Sequence, residues 1–260
     1  MVGLVVLTMV ALTSATVTLL AVQSHLAGQV QRIDGVFDGL DNRPARPSAG
    51  PAALATNILV MGTQRSDTMM VLHVDGDRDG ASLISIPRGS WVDVPGHGFD
   101  KVNAAVSLTR PSRAVETVEN LTGVRIDHLA VVDWADFRAQ LGSENHAVAG
   151  QLVRQSLSTL RTPSPLAIYG VLDALTDNLS VDSGWEVGDM RSLAQDLREM
   201  RPQAIRFLTV PVRGLGQEGD QKVVHLDRTG NAALWEAVRE DRVARWTVED
   251  PANAVGMALR

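Results

Sequence analysis

The chain has no cysteine, which excludes disulfides and thiolate metal centres and leaves the redox compartment open. It has no run of Lys or Arg either. Its 24 basic residues are scattered among 30 acidic ones, for a formal charge of −6. A surface of that sign repels phosphate backbones, and with no helix-turn-helix pattern the reading is no nucleic-acid partner. The six histidines show no ligand-like spacing, so no zinc site is expected. There is no internal repeat. What remains is an ordinary folded composition, 45% hydrophobic and 21% charged over 260 residues, enough for one good-sized core domain with extensions.

Charge is also absent from Val2 to Val22, VGLVVLTMVALTSATVTLLAV. About 21 residues at roughly 1.5 Å each cover about 32 Å, enough to cross a hydrocarbon core of roughly 30 Å. A cleaved signal peptide has a shorter apolar region and a small-residue cleavage site, so residues 1–22 are predicted to be an uncleaved transmembrane anchor. The first basic residue is Arg32, which leaves the orientation unset by charge. Residues 23–56 then read as a linker or stalk, because RPARPSAGPAALAT (Arg43 to Thr56) brings three prolines among small residues. A folded domain is expected over 57–245, with 246–260 as a C-terminal tail.

Within that domain, NILVMG (Asn57 to Gly62), TMMVLHV (Thr68 to Val74) and ASLISIP (Ala81 to Pro87) are short apolar runs. The last two are separated by Asp75-Gly76-Asp77-Arg78-Asp79-Gly80, a strong turn signal. Further strands are expected at His128 to Asp133, Ala204 to Val210 and Lys222 to Leu226. Helices are predicted around VNAAVSL, over SRAVETVENLT with Gly123 as the stop, in several stretches between Trp134 and Leu175, over GDMRSLAQDLREM, and after a capping Asp227. Strands alternating with helices give an α/β domain, a layered α-β-α arrangement around a mixed central sheet.

If the first three strands form a meander, the end of the first, the start of the second and the end of the third share one sheet edge. Arg65, Asp67 and Arg88 then converge. Two guanidinium groups suit a phosphorylated ligand, since arginine offers a fixed fork of donors to phosphate oxygens. A carboxylate beside them suits Mg2+, which takes one or two protein carboxylates together with phosphate oxygens. The plainer alternative is a polar hairpin turn for Arg65-Ser66-Asp67 and a surface arginine for Arg88. Asp93 and Asp100 are either further metal ligands or solvated loop carboxylates. Trp91 either lines an acceptor site or packs against its loop, and Glu116 with Glu119, three apart on a helix, reads as a solvated face.

RSDTMM (Arg65 to Met70), SIPRGSWVDVPG (Ser85 to Gly96), DKVNAA (Asp100 to Ala105) and ETVENLTGVRIDH (Glu116 to His128) follow the order and near-spacing of the LytR-CpsA-Psr family. The chain resembles that family from about Asn57 to Phe137, and more loosely from Leu166. The resemblance implies a single-pass, membrane-anchored, extracytoplasmic transferase that moves a glycopolymer from a polyprenyl-pyrophosphate carrier to peptidoglycan, with magnesium on the pyrophosphate. Teichoic acid or arabinogalactan attachment is the implied process. By position, Arg65, Asp67 and Arg88 would be catalytic. Arg65, Arg88, Lys101, Asn103 and Arg154 would bind pyrophosphate, and Asp67 would hold the metal. The lipid tail would need an apolar tunnel, for which the aliphatic stretch from Leu152 to Leu175 is a candidate, although core packing gives the same pattern.

The chain also departs from the family pattern. It lacks the family's aspartate shortly after the first strand, carries Gly89 where an aspartate normally follows the second arginine, and has a shortened middle segment near 142–157. These departures give a second reading, a non-catalytic membrane-anchored binder of the polyprenyl-pyrophosphate lipid or of a wall-assembly partner.

Overall fold

The computed structural model describes residues 30–62, 69–106, 110–132 and 179–249. The expected anchor at 1–22 and the helices expected between 134 and 175 lie outside these residues, as do Arg65, Asp67 and Arg154. Among the described residues no helix is long and apolar enough to cross a membrane.

The apolar runs pair into one mixed sheet. Its strands are β1 (Gln31–Ile33), β2 (Thr56–Gly62), β3 (Met69–Val74), β4 (Ala81–Ile86), β7 (His128–Val132), β8 (Leu179–Asp182) and β9 (Ile205–Thr209), in the order β1-β8-β7-β2-β3-β4-β9. β2, β3 and β4 form the expected antiparallel meander, with Met61 opposite Met69 and Met69 opposite Ile86. β7 runs parallel to β2 and β9 parallel to β4. Two hairpins lie outside this sheet: β5 (Trp91–Val94) with β6 (Gly98–Lys101), and β10 (Val212–Glu218) with β11 (Gln221–Leu226).

Alternation along the strands feeds two layers, as the period-two geometry of a strand requires. Leu59, Met61, Met69, Val71, Ile84, Ile86, Leu129 and Val131 point to one face. They bury against α1 (Pro111–Thr122), α3 (Arg228–Arg239) and the strand β5. Ile58, Ala130 and Val181 point to the other face, where Trp185 and the apolar side of α2 (Val187–Glu199) cover them through Met190 and Leu193. A short α4 (Val243–Glu249) completes the first layer, with Val243 buried and Trp246 packed on the same cluster. The expected tail therefore begins inside a packed helix.

Local signals act as their chemistry demands. Gly123 ends α1 in the left-handed conformation, φ 63°, and its N–H donates to the Glu119 carbonyl. Asp227 caps α3 by accepting from the N–H groups of Thr229 and Gly230. The helix expected near 102–108 is a 3-10 turn over Val102–Ala105.

Two expectations need correction. The segment 30–56, read as part of a stalk, is packed into the domain. β1 pairs in parallel with β8, Val36 is buried in the main core, and Arg43 reaches α1. Its prolines rigidify a chain that hugs the surface instead of holding it away. Glu119, read as part of a solvated face, is buried because it meets that arginine and also accepts from the Ile126 N–H at 2.8 Å.

Candidate functional site

The meander brings one set of strand ends to a common sheet edge. Gly62 closes β2, Met69 opens β3 and Ile86 closes β4, so the chain enters and leaves segment 63–68 within two residues of Arg88. The same edge receives the end of β7, since Gly62 lies opposite Val132, and the end of β9, since Ser85 lies opposite Thr209. Val132 is in turn paired with Leu179, so segment 133–178 departs from this edge and returns to it. Crevices outside the carboxyl ends of strands are where α/β sheets take ligands.

Arg88 stands exposed in the turn that follows β4. The turn is locked from three sides. The Ser90 N–H donates to the Pro87 carbonyl at 2.9 Å, the Val224 N–H to Gly89 at 2.8 Å, and the Val102 N–H to Ser90 at 2.8 Å. The Arg88 carbonyl accepts from the Asn103 N–H at 3.4 Å. Lys101, opposite Trp91 in the β5–β6 hairpin, comes just before that 3-10 turn. Arg88, Lys101 and Asn103, separated in sequence, are thus brought together by backbone hydrogen bonds. Arg65 and Asp67 belong to the segment that begins and ends beside them, and Arg154 to the longer segment that leaves from the same edge.

Among the described residues Asp100 shares no cluster of metal-ligating side chains, and both of its oxygens are engaged. One oxygen accepts from the Lys101 N–H at 2.7 Å and the other faces His97 Nε2 at 2.9 Å. The backbone bond first and the His97 contact second hold its carboxyl below the ordinary 3.8. Asp93 is exposed on β5. Among the described residues, the group of side chains able to share an ion is His73, Asp75 and Asp241, at the opposite end of β3.

Beside the Arg88 turn lies an open groove of about 740 Å³ between the two hairpins and α1, lined by Trp91, Asp93, Phe99, Arg213, His225 and Arg228 among others. Phe99 is 66% exposed, and its ring sits 6.5 Å from that of Trp91. Of these residues the sequence reading singled out Trp91 and Asp93. Phe99, Arg213, His225 and Arg228 carry no local signal, because the groove is created by docking the second hairpin against the first through the Ser90–Val224 bridge.

The LytR_cpsA_psr family pattern matches residues 35–141. LcpB of Corynebacterium glutamicum, named a probable cell wall biosynthesis protein, is 49% identical over 72 residues, which is 28% of this chain and 17% of LcpB. LcpA of the same organism, a cell wall biosynthesis protein, is 22% identical over an alignment of 327 positions that takes in 84% of this chain and 62% of LcpA. That alignment is longer than this whole chain, so LcpA carries long stretches with no counterpart here. The polyisoprenyl-teichoic acid–peptidoglycan teichoic acid transferase TagU of Oceanobacillus iheyensis is 33% identical over 97 residues, 32% of this chain and 30% of TagU. The chain thus spans between 17% and 62% of the length of these curated relatives.

The fold matches solved structures over a larger share. A LytR-Csp2A-Psr enzyme from Actinomyces oris superposes with a TM-score of 0.58 at 14% identity, covering 81% of this chain and 96% of the other. The family protein YwtF (TagT) with bound octaprenyl pyrophosphate lipid superposes with a TM-score of 0.54 at 16% identity, covering 78% and 97%. Residues 35–141 of this chain thus carry the sequence pattern of the LytR-CpsA-Psr family.

Proposed function

We propose that the chain is a cell-wall glycopolymer transferase that moves a phosphoglycan from a polyprenyl-pyrophosphate carrier to peptidoglycan at the outer face of the membrane. The observation that carries this reading is the common edge. Arg88, Lys101 and Asn103 are fixed there by backbone bonds to one another's turns, and segment 63–68, with Arg65 and Asp67, enters and leaves beside them. The names of the relatives, with teichoic acid transfer in one and a bound polyprenyl pyrophosphate in another, support the same chemistry. The uncharged run from Val2 to Val22 supports attachment to the membrane that holds such a carrier.

In this reading Arg65, Arg88 and Arg154 bind the pyrophosphate oxygens, and Lys101 with Asn103 supports the wall of the site. Asp67 would hold Mg2+, whose chemistry is to neutralise charge on the pyrophosphate. Arg88, Lys101 and Asn103 at the described edge suit the phosphate oxygens, and the carboxylate for the ion would come from Asp67 in the adjoining segment. An acceptor sugar hydroxyl attacks the glycan-bearing phosphorus in line. The bridging P–O bond then breaks and the lipid phosphate leaves. The protein's work is orientation and charge neutralisation, which suffice for phosphoryl-type transfer. The groove of Trp91, Phe99, Arg213 and Arg228 would take the acceptor glycan, its rings offering apolar faces to sugars and its charged groups meeting hydroxyls.

A non-catalytic, lipid-binding role is the second reading. It is favoured by Gly89 and by the long stretches of LcpA that have no counterpart here. One assay separates the two. The full chain in detergent is given Mg2+ and a polyprenyl-pyrophosphate glycan, and lipid phosphate release is followed by mass spectrometry. Turnover reduced about 10- to 100-fold by Arg88→Ala, the loss of one or two charge-assisted hydrogen bonds, is the expected result. Stoichiometric lipid retention without turnover establishes the binder instead.

A further inference from the structure

At the end of β3 far from Arg88, three side chains from distant parts of the chain meet. His73 is fully buried on β3, Asp75 opens the β3–β4 turn, and Asp241 lies at the α3–α4 corner. We propose that His73 Nε2, Asp75 Oδ1 and Asp241 Oδ1 form a divalent-cation site of the zinc type, separate from the phosphate-binding edge.

The orientation of the imidazole is settled by its neighbours. The Asn57 amide nitrogen donates to the Arg125 carbonyl at 3.1 Å, which turns the Asn57 amide oxygen toward His73. That oxygen lies 2.8 Å from Nδ1, so Nδ1 carries a proton and donates it. Metal-bound histidines are held in this way, the far ring nitrogen donating to a carbonyl and fixing the tautomer. Nε2 is left facing the two carboxylates, 3.0 Å from Asp241 Oδ1 and 3.8 Å from Asp75 Oδ1.

The outer oxygens of both carboxylates are already engaged. Asp241 Oδ2 accepts from the Gly76 N–H at 3.0 Å, and Asp75 Oδ2 from Arg206 Nη1 at 3.4 Å. The inner oxygens therefore turn toward the imidazole. Asp75 Oδ1 is one of five buried side-chain atoms without a hydrogen-bond partner among the described residues, and the one of them that belongs to this cluster, where a cation would satisfy it. The three candidate ligand atoms lie within 4.8 Å of one another. Tetrahedral zinc with bonds of about 2.0–2.2 Å holds its ligands roughly 3.3–3.5 Å apart, and the two distances from Nε2 straddle that range.

Charge and ligand type agree with this assignment. Two carboxylates and a neutral imidazole balance a divalent ion, and nitrogen with oxygen ligands suits zinc. The fourth position would be taken by water. Such an ion would clamp the β3–β4 turn to the α3–α4 corner, fixing one end of the sheet while the other end holds ligand. The competing arrangement is a proton on Nε2, an imidazolium bonded to Asp241 with no ion at all.

The test uses the full chain, stripped with a chelator and titrated with Zn2+ by calorimetry, with Co2+ as the spectroscopic stand-in. Expected are one equivalent of Zn2+, a rise in Tm, and tetrahedral-type visible absorption from Co2+. Asp75→Asn, which keeps the shape of the turn, should weaken Zn2+ binding at least tenfold. His97→Asn removes the exposed His97–Asp100 pair and should leave Zn2+ binding unchanged. Absence of stoichiometric Zn2+ binding, or an Asp75→Asn protein that binds as the parent does, overturns the proposal in favour of the imidazolium pair.

Discussion

Arg43 forks onto Glu119. Its Nε lies 3.1 Å from both carboxylate oxygens and its Nη2 2.7 Å from Oε1, while Nη2 also donates to the Ile126 carbonyl. The guanidinium stacks 4.5 Å from the centroid of Phe37. Glu119 is only 3% exposed, so removing its partner leaves a buried carboxylate with one remaining donor, the Ile126 N–H. Arg43→Ala should lower unfolding free energy by about 3 kcal/mol, the usual cost of stranding one half of a buried pair. Urea denaturation of the two proteins measures this, and a loss below about 1 kcal/mol would show that water replaces the arginine.

That contact also marks how far the sequence could be read. β2, β3 and β4 were legible because a buried central strand is a continuous apolar run bounded by turn residues, and the Asp75–Gly80 turn is visible in its residue types alone. α1 and α3 were legible through Gly123 and the capping Asp227. β1 was not: three residues, Gln31 to Ile33, make an edge strand through parallel pairing with β8, about 150 positions away. Glu119 looked solvated because its partner lies 76 residues upstream. His73 and Asp75 are near neighbours, but Asp241 joins them from 168 positions beyond His73, so no spacing rule could reveal the cluster. The meander made the Arg88 edge legible, whereas the groove beside it needs two hairpins to dock.

Asp100 gives a pH signature. Its folded-state value is depressed, by the Lys101 N–H first and then by His97, with Gln221 Nε2 at 3.4 Å also facing it. A depressed carboxylate contributes stability that is present above its unfolded value and lost as pH falls through the folded one. The stability difference between the parent and Asp100→Asn should therefore shrink as pH falls through and below the ordinary 3.8. Urea midpoints of both proteins across that range test it. A difference independent of pH would mean that the carboxylate's charge is irrelevant to the hairpin.

Phe99 tests the acceptor groove of the proposed function. At 66% exposure it adds little to folding, so Phe99→Ala should leave Tm within a degree or two. An aromatic face against a sugar contributes on the order of 1 kcal/mol. The substitution should raise the acceptor KM about fivefold with kcat unchanged, as expected for binding shared by ground and transition states. A fall in kcat at constant KM would move Phe99 out of the acceptor groove and into the reacting centre.

Gly89 bears directly on catalytic competence. Its backbone does not require glycine, because a Cβ there would meet Val224 Cγ2 at 3.4 Å, an ordinary contact, and its φ is not in the left-handed region. The Gly89 carbonyl bond to the Val224 N–H involves only backbone and survives substitution. Gly89→Asp should therefore fold, with stability within about 1 kcal/mol of the parent. It would restore a carboxylate immediately after Arg88, where the family pattern has one. If the shared edge carries Mg2+-assisted transfer, Gly89→Asp should raise Mg2+-dependent release of lipid phosphate and lower the Mg2+ concentration needed for half-maximal rate. A folded Gly89→Asp protein that binds the polyprenyl-pyrophosphate donor but shows no gain in turnover would locate the deficit outside this turn, in the missing aspartate after the first strand or in the shortened middle segment.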